Sequence, residues 1–328
     1  MQTPSSRLFL GLIPWYGLLI VLGAALAIFL AEKESRRLLM PGDTVLDLAL
    51  RILPAGILGA RAYYVLFSWP VFRNNPLSAL YIWEGGLAIY GGLIAGAAVL
   101  ILFCRKRKLS VLQMLDIIAP GVVLAQAIGR WGNYFNQEAY GLPLPSDSPF
   151  AFFPLAVLIQ EQASSSWHLA TFFYESVWDF GIFVLLLAGR RRWFRRRGDV
   201  FLFYLLCYSA GRLVIENLRM DSLWLGTGIR ISQLLSILIL TAVIGVFHAR
   251  QDGHSFLPAW ARLPLLLAGL AATALLLVFC LTDAGPFSGS PARQTGMMAV
   301  YSLMMLTIAV LFYGRSRNPE VYYASHKA

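Results

Sequence analysis

A membrane-crossing helix needs about 20 mostly apolar residues, and this chain contains nine such stretches in succession. They fall at 8–30, 46–67, 85–103, 112–129, 172–188, 199–217, 231–248, 264–281 and 297–313. The first, Leu8–Leu30, runs 23 residues without a charge. It is too long for the apolar part of a signal peptide, and further spans follow it instead of a soluble domain. The second and sixth are interrupted by ionisable residues, and the fourth is weakened by Asp116 and Pro120. Composition agrees: 58% of the 328 residues are hydrophobic and only 13% are charged, against about 25% charged in a soluble domain. A disordered chain, a disulfide scaffold and an ordinary water-soluble enzyme are excluded. The expected fold class is an all-α polytopic membrane protein.

The net charge of +10 admits nucleic acid, anionic lipid or membrane topology as its cause. Cytoplasmic loops concentrate Lys and Arg. The 104–111 loop carries Arg105, Lys106, Arg107 and Lys108, and the 188–198 loop carries Arg190, Arg191, Arg192, Arg195, Arg196 and Arg197. Two spans separate them, so they share a side. Alternation adds 31–45, 249–263 and the tail to that side, which then holds 18 of the 27 cations. The N-terminus is expected outside and the C-terminus in the cytoplasm. The basic loops read as topology anchors that touch lipid head groups, and no nucleic-acid partner is expected.

Cys104, Cys207 and Cys280 lie in or beside apolar runs without a C-x-x-C, which offers neither a disulfide framework nor a zinc site. His168, His248, His254 and His326 are scattered; H-E-x-x-H, G-x-S-x-G and P-loop motifs are absent. No metal site is expected.

Polar residues concentrate in three segments that membrane burial penalises. WEGGLAIYGG (83–92) sets Glu84 and Tyr90 among the pairs Gly85–Gly86 and Gly91–Gly92. Such glycines serve irregular turns or close helix packing. GRWGNYFNQEAYG (129–141) puts Arg130, Asn133, Asn136, Gln137 and Glu138 at the outer end of the fourth span. It is either a solvated loop or a phosphate site, since Arg binds phosphate through two parallel N–H donors. In YSAGRLVIENLRMD (208–221), a continuous helix puts Tyr208, Arg212, Glu216 and Arg219 within about 80° of one another. Arg212 and Glu216 can pair at i,i+4. Intramembrane charges mark functional sites by default, although a structural ion pair fits the same spacing. Arg61 with Tyr63 and Tyr64, Tyr16, and His168 with Tyr174 and Glu175 fall at the same outer level. The convergence points to a site for an anionic lipid head group. The external region 130–171 is expected to be irregular over 141–165, where Pro143, Pro145, Pro154 and several Ser occur.

These segments together resemble the prolipoprotein diacylglyceryl transferase family. GRWGNYFNQEAYG is similar to G-R-x-G-N-F-x-N-x-E-x-x-G, with Phe135 displaced from the family's aromatic and Gly141 in place. WEGGLAIYGG is similar to the family's segment that opens H-G-G or E-G-G and continues x-x-x-H/Y-G-G, with Tyr90 where many members carry His. GRLVIENLRMD resembles G-R-x-x-x-E-x-x-R-x-D, GARAYYVLF (59–67) resembles G-x-R-x-x-Y-V, and WHLATFFYE (167–175) resembles H-P-x-x-x-Y-E with Leu169 in place of proline. The resemblance covers about residues 10–247. It divides the chain into a transferase core of about seven helices, 1–250, and a two-helix extension, 251–328.

The resemblance implies transfer of an sn-1,2-diacylglyceryl group from phosphatidylglycerol to the lipobox cysteine thiol of a prolipoprotein signal peptide. A thioether forms and glycerol phosphate leaves, with no metal or redox cofactor. It implies a multi-pass protein of the bacterial inner membrane with its site toward the periplasmic side. A thiol needs a base or a lowered pKa, and a departing phosphate needs cationic donors. On this basis Arg130 and Arg212 are expected to bind and stabilise the phosphate, with Glu216 positioning Arg212. Tyr90 or Tyr208 is expected to assist proton removal, although a phenol, with a pKa of about 10, is a poorer base than imidazole. Tyr16, Arg61, Glu84, Gly85, Gly86, Gly91, Gly92, Asn133, Asn136, Glu138, Gly141, His168, Glu175 and Arg219 complete the expected substrate-binding set. A secondary transporter of an anionic solute should show repeats, which these spans lack. A non-catalytic lipid-binding protein leaves the density of amides and paired charges unexplained.

Overall fold

The structure, a computed structural model, describes residues 8–160, 165–191, 193–194, 196–225, 229–250, 257–282 and 291–313. Arg7, Arg192, Arg195, Arg315, Arg317 and Lys327 of the charge count lie outside these residues, as do His254 and His326.

Among the described residues, nine helices of 17 to 26 residues occupy the nine apolar stretches. They are α1 (Trp15–Arg37), α2 (Thr44–Phe67), α4 (Ile89–Lys106), α5 (Val111–Asn136), α6 (Thr171–Gly189), α7 (Asp199–Ile215), α8 (Ile231–Ala249), α9 (Ala259–Thr282) and α10 (Pro291–Tyr313); α3 is the four-residue turn Trp69–Phe72. Seven of the nine are long and apolar enough to cross a membrane, which makes this a multi-pass membrane protein. The exceptions are α2, which contains Asp47, Arg51 and Arg61, and α7, which has 17 residues and contains Asp199 and Arg212.

Three expectations need correction. The fourth span is the longest helix: α5 continues through Pro120 and past residue 129 to Asn136, so Arg130 and Asn133 are helical. Proline is tolerated in spanning helices because neighbours satisfy the freed backbone groups. The 141–165 segment is not wholly irregular. After the short hairpins' strands β1 (Leu8–Phe9) and β2 (Ile13–Pro14), strands β3 (Pro143–Leu144), β4 (Ala156–Gln160) and β5 (Ser165–Leu169) form an antiparallel sheet in the order β3-β5-β4. Val157 and Ile159 alternate inward beneath Phe172 and Tyr134. The polar stripe does not run to residue 219. α7 stops at Ile215, a 3-10 turn covers Glu216–Leu218, and Arg219 is extended at φ −85°, ψ 144°. The short hairpin of β6 (Trp224–Leu225) and β7 (Ile229–Arg230) leads into α8.

The chain forms two compact units, residues 27–121 and residues 1–26 with 122–328. In the first, α2 and α4 pack backbone to backbone. A Cβ on Gly91 would lie 2.2 Å from the carbonyl oxygen of Gly59, and one on Gly59 would lie 2.4 Å from Cβ of Ala95. Small residues permit this approach where lipid gives no hydrophobic drive for association. Gly91→Ala is expected to destabilise this pair by about 1–3 kcal/mol, read as a lower thermal midpoint in detergent; an unchanged midpoint would refute the close packing.

In the second unit, α7 is wedged between two sets of neighbours. Leu206, Ala210 and Leu213 join one buried cluster with α8, α9 and α10. Tyr208 and Arg212 follow the other helical face. That face carries the ionic groups described next.

Candidate functional site

Glu175 stands in the second turn of α6 and is the hub of the second unit's ion cluster. Arg130 Nε lies 2.6 Å from Glu175 Oε2. Arg212 Nη1 donates to Glu175 Oε1, and Arg212 Nη2 is 2.7 Å from Glu216 Oε2. Arg219 Nη1 stands 3.6 Å from Glu175 Oε1. Arg219 also makes a bidentate pair with exposed Asp221, at 3.0 and 2.9 Å. The carboxylates are the enclosed partners: side-chain exposure is 5% for Glu175 and 2% for Glu216, against 21% for Arg130 and 17% for Arg212. The Arg130 and Arg212 side chains are therefore more accessible than the two carboxylates they pair with. Arg212 occupies the last turn of α7, where the helix dipole favours cations, and Arg130 stands in the penultimate turn of α5.

Neighbouring hydrogen bonds fix the hub. Ser176 Oγ donates to the Ala127 carbonyl at 2.8 Å and accepts from Trp131 Nε1 at 3.0 Å, tying α6 to α5. Trp178 Nε1 donates to the Cys207 carbonyl at 2.9 Å, tying α6 to α7. The indole lies against Gly211, where a Cβ would meet Nε1 at 2.1 Å. Arg219 is brought in by backbone threading. Gly141 bridges to Arg219, and Leu142 N–H donates to Leu218 O at 2.9 Å. A Cβ on Gly141 would lie 2.7 Å from that same carbonyl oxygen, so this glycine is required by close approach. Asn217 Oδ1 accepts from Arg230 Nη1 at 3.0 Å and from Gln233 Nε2 at 2.9 Å, which anchors the 216–218 turn to α8. Burial lowers the Arg230 pKa from its ordinary value, with Glu216 opposing the shift.

The other expected residues fall as follows. Tyr16 lies over Gly132, where a Cβ would meet its ring at 2.3 Å, and Trp15 stacks on Phe135 at 4.8 Å. Asn133 and Asn136 both donate to Glu138 Oε1, at 3.1 and 3.2 Å, so these three form their own network while Arg130 pairs with Glu175. His168 is 5% exposed, with Nδ1 2.9 Å from the Gly141 carbonyl and Nε2 2.9 Å from Ser166 Oγ. Both ring nitrogens are thus engaged in holding the 141–168 sheet. The Tyr208 ring meets that of Tyr204 in a tilted contact at 5.8 Å, and the Tyr204 hydroxyl donates to Gln126 Oε1 at 3.0 Å.

The first unit holds Arg61, Glu84, Tyr90 and the two glycine pairs. Arg61 donates to the carbonyls of Ala79, Gly85, Gly86 and Ser78 at 2.6–3.2 Å. It organises the 78–86 turn through backbone carbonyls. Gly85 and Gly86 have φ of 87° and 68°, a region that only glycine adopts freely, and a Cβ on Gly86 would lie 2.8 Å from Arg61 Nη1. Glu84 is exposed on this turn. Tyr90 opens α4, with its ring 6.5 Å from that of Tyr63.

Asp179 is absent from the sequence-derived set. It is 1% exposed, and its Oδ2 has no hydrogen-bond partner among the described residues. An ionisable residue one turn on from Glu175 in an apolar span was the signal for it.

Two apolar grooves flank α6. One, of about 560 Å³, is lined by residues including Tyr174, Trp178 and Cys207; the other, of about 360 Å³, by residues including Leu19, Trp131 and Phe180.

Residues 8–249 match the family model described as prolipoprotein diacylglyceryl transferase. Phosphatidylglycerol–prolipoprotein diacylglyceryl transferase of Streptococcus suis is 47% identical over 241 residues, covering 73% of this chain and 89% of that protein. The Streptococcus agalactiae protein of the same name is 43% identical over 244 residues, covering 74% and 93%. That of Shouchella clausii is 41% identical over 276 residues, covering 82% and 96%. With the ion cluster inside the matched region, this chain belongs to the prolipoprotein diacylglyceryl transferase family.

Proposed function

We propose that this chain transfers an sn-1,2-diacylglyceryl group from phosphatidylglycerol to the lipobox cysteine of prolipoproteins. The cysteine sulfur bonds to the glyceryl carbon that carries the phosphate. The carbon–oxygen bond breaks, glycerol phosphate leaves with the electron pair, and the thiol proton passes to a base. The observation that carries this reading is the set of arginines gathered on Glu175, with their side chains more accessible than its own. Arg130 and Arg212 hold the head-group phosphate and stabilise the charge that grows on it. Glu175 and Glu216 hold Arg212 in place. Tyr90 or Tyr208 takes the thiol proton. The grooves along α6 suit acyl chains, being lined mainly by apolar side chains.

The protein lies in the bacterial inner membrane with the cluster toward the periplasm, the N-terminus outside and the C-terminus in the cytoplasm. The asymmetry of the 27 cations supports this orientation. Residues 1–250 form the transferase core and 251–328 an extension. Purified full-length protein, given phosphatidylglycerol labelled in the acyl chains and a lipobox peptide, should move the label onto the cysteine as a thioether. Lipid binding without thioether formation would establish a non-catalytic lipid binder instead.

A further inference from the structure

Residues 250–328 lie beyond the family match, yet α10 lies along the helix that carries Arg212. Met298, Met305 and Ile308 of α10 share a buried cluster with Ala210 and Leu213 of α7. Two hydroxyls of α10 tie the helices together. Ser302 Oγ donates to the Ala210 carbonyl at 3.1 Å, and the Tyr313 hydroxyl donates to Asp199 Oδ2 at 2.7 Å. Eleven residues separate the two ties on each helix, 199 to 210 and 302 to 313. That is about 16 Å along either axis, so the helices run antiparallel in matched register. Sliding or rotation of α7 must break one tie or both.

Arg212 follows Ala210 by two residues, and its guanidinium must reach Glu175 and Glu216 together. α6 holds α7 on one face through Trp178, and α10 holds it on another through Ser302. We infer that the extension is a positioning element for the transfer reaction, with Ser302 acting through the α7 backbone to set Arg212. This rests on the function proposed above. Small displacements of a charged donor weaken transition-state stabilisation steeply, so a tie two residues from Arg212 affects turnover more than binding.

Tyr301 supplies an internal control. Its hydroxyl is 2.8 Å from Thr273 Oγ1 on α9, so removing it takes a hydrogen bond from the extension without touching α7. The test compares full-length wild type, Ser302→Ala, Ser302→Thr and Tyr301→Phe in phosphatidylglycerol vesicles with a lipobox peptide. Loss of one buried hydrogen bond predicts about a fivefold fall in kcat for Ser302→Ala. The peptide KM should stay within about twofold, and amide exchange across 208–218 should be faster. Ser302→Thr should restore kcat, and Tyr301→Phe should match wild type in kcat and in exchange over 208–218. The inference is overturned if Ser302→Ala keeps full kcat, or if Tyr301→Phe loses as much. If wild type transfers no lipid, the proposed function fails; equal 208–218 exchange in the two variants would then overturn the inference separately.

Discussion

Replacing Arg212 by alanine is expected to lower the rate of diacylglyceryl transfer by about 10²–10³-fold, the usual effect of deleting one donor aimed at developing charge. Among the described residues, Arg212 is the one arginine that pairs with two buried carboxylates of the cluster, Glu175 and Glu216. Its side chain remains 17% exposed, with Nη1 on Glu175 and Nη2 on Glu216. Alanine removes the guanidinium and leaves Glu216, 2% exposed, as a buried charge without its partner. Arg212→Lys separates the two effects. An ammonium keeps the charge but cannot reach both carboxylates and a phosphate in one plane, so an intermediate loss of about tenfold or more follows. The measurement is the initial rate of label transfer to a lipobox peptide by purified full-length variants that elute as wild type does. A rate for Arg212→Ala within about threefold of wild type would remove Arg212 from the chemistry.

The sequence made the charged residues of α5 and α7 legible because charge in an apolar run is costly and stands out. Arg130, Arg212 and Glu216 were found that way, and the predicted i,i+4 pair of Arg212 and Glu216 is present at 2.7 Å. The spans were legible for the same reason. Glu175 was named as a contact, but its place at the centre was hidden. Its partners lie 37 and 45 residues away in Arg212 and Arg130, and no periodicity within α6 encodes that. Arg61 shows the converse. Its position at the end of a span put it in the expected substrate-binding set, but the carbonyls of the 78–86 turn, 17 to 25 residues on, fold back to meet it. The strands Ala156–Gln160 and Ser165–Leu169 were hidden by the prolines and serines around them. The register of α10 on α7 depends on Ser302 and Tyr313 meeting a carbonyl and a carboxylate, which composition does not reveal.

Glu175→Gln is the sharper test of the cluster as a unit. The amide is nearly the same size and still accepts a hydrogen bond, so packing around α6 survives. What disappears is the negative charge that Arg130, Arg212 and Arg219 share. Unpairing a buried charge typically costs about 3–5 kcal/mol, and here several cations lose one counter-ion at once. The expected result is a clear drop in thermal midpoint together with about a 10²-fold loss of transfer, since Arg130 and Arg212 are no longer drawn together. Adding Arg219→Gln removes one of the now unbalanced cations. Arg219 stands at 3.6 Å, farther from Glu175 than Arg130 does, so its loss relieves repulsion without dismantling the two arginines assigned to the phosphate. The double variant should therefore recover part of the lost stability while transfer stays low, a coupling readable from a double-mutant cycle. Additive destabilisation by the two changes would show that the arginines do not share Glu175. Wild-type stability in Glu175→Gln alone would show that Asp179 or Glu216 holds the arginines instead.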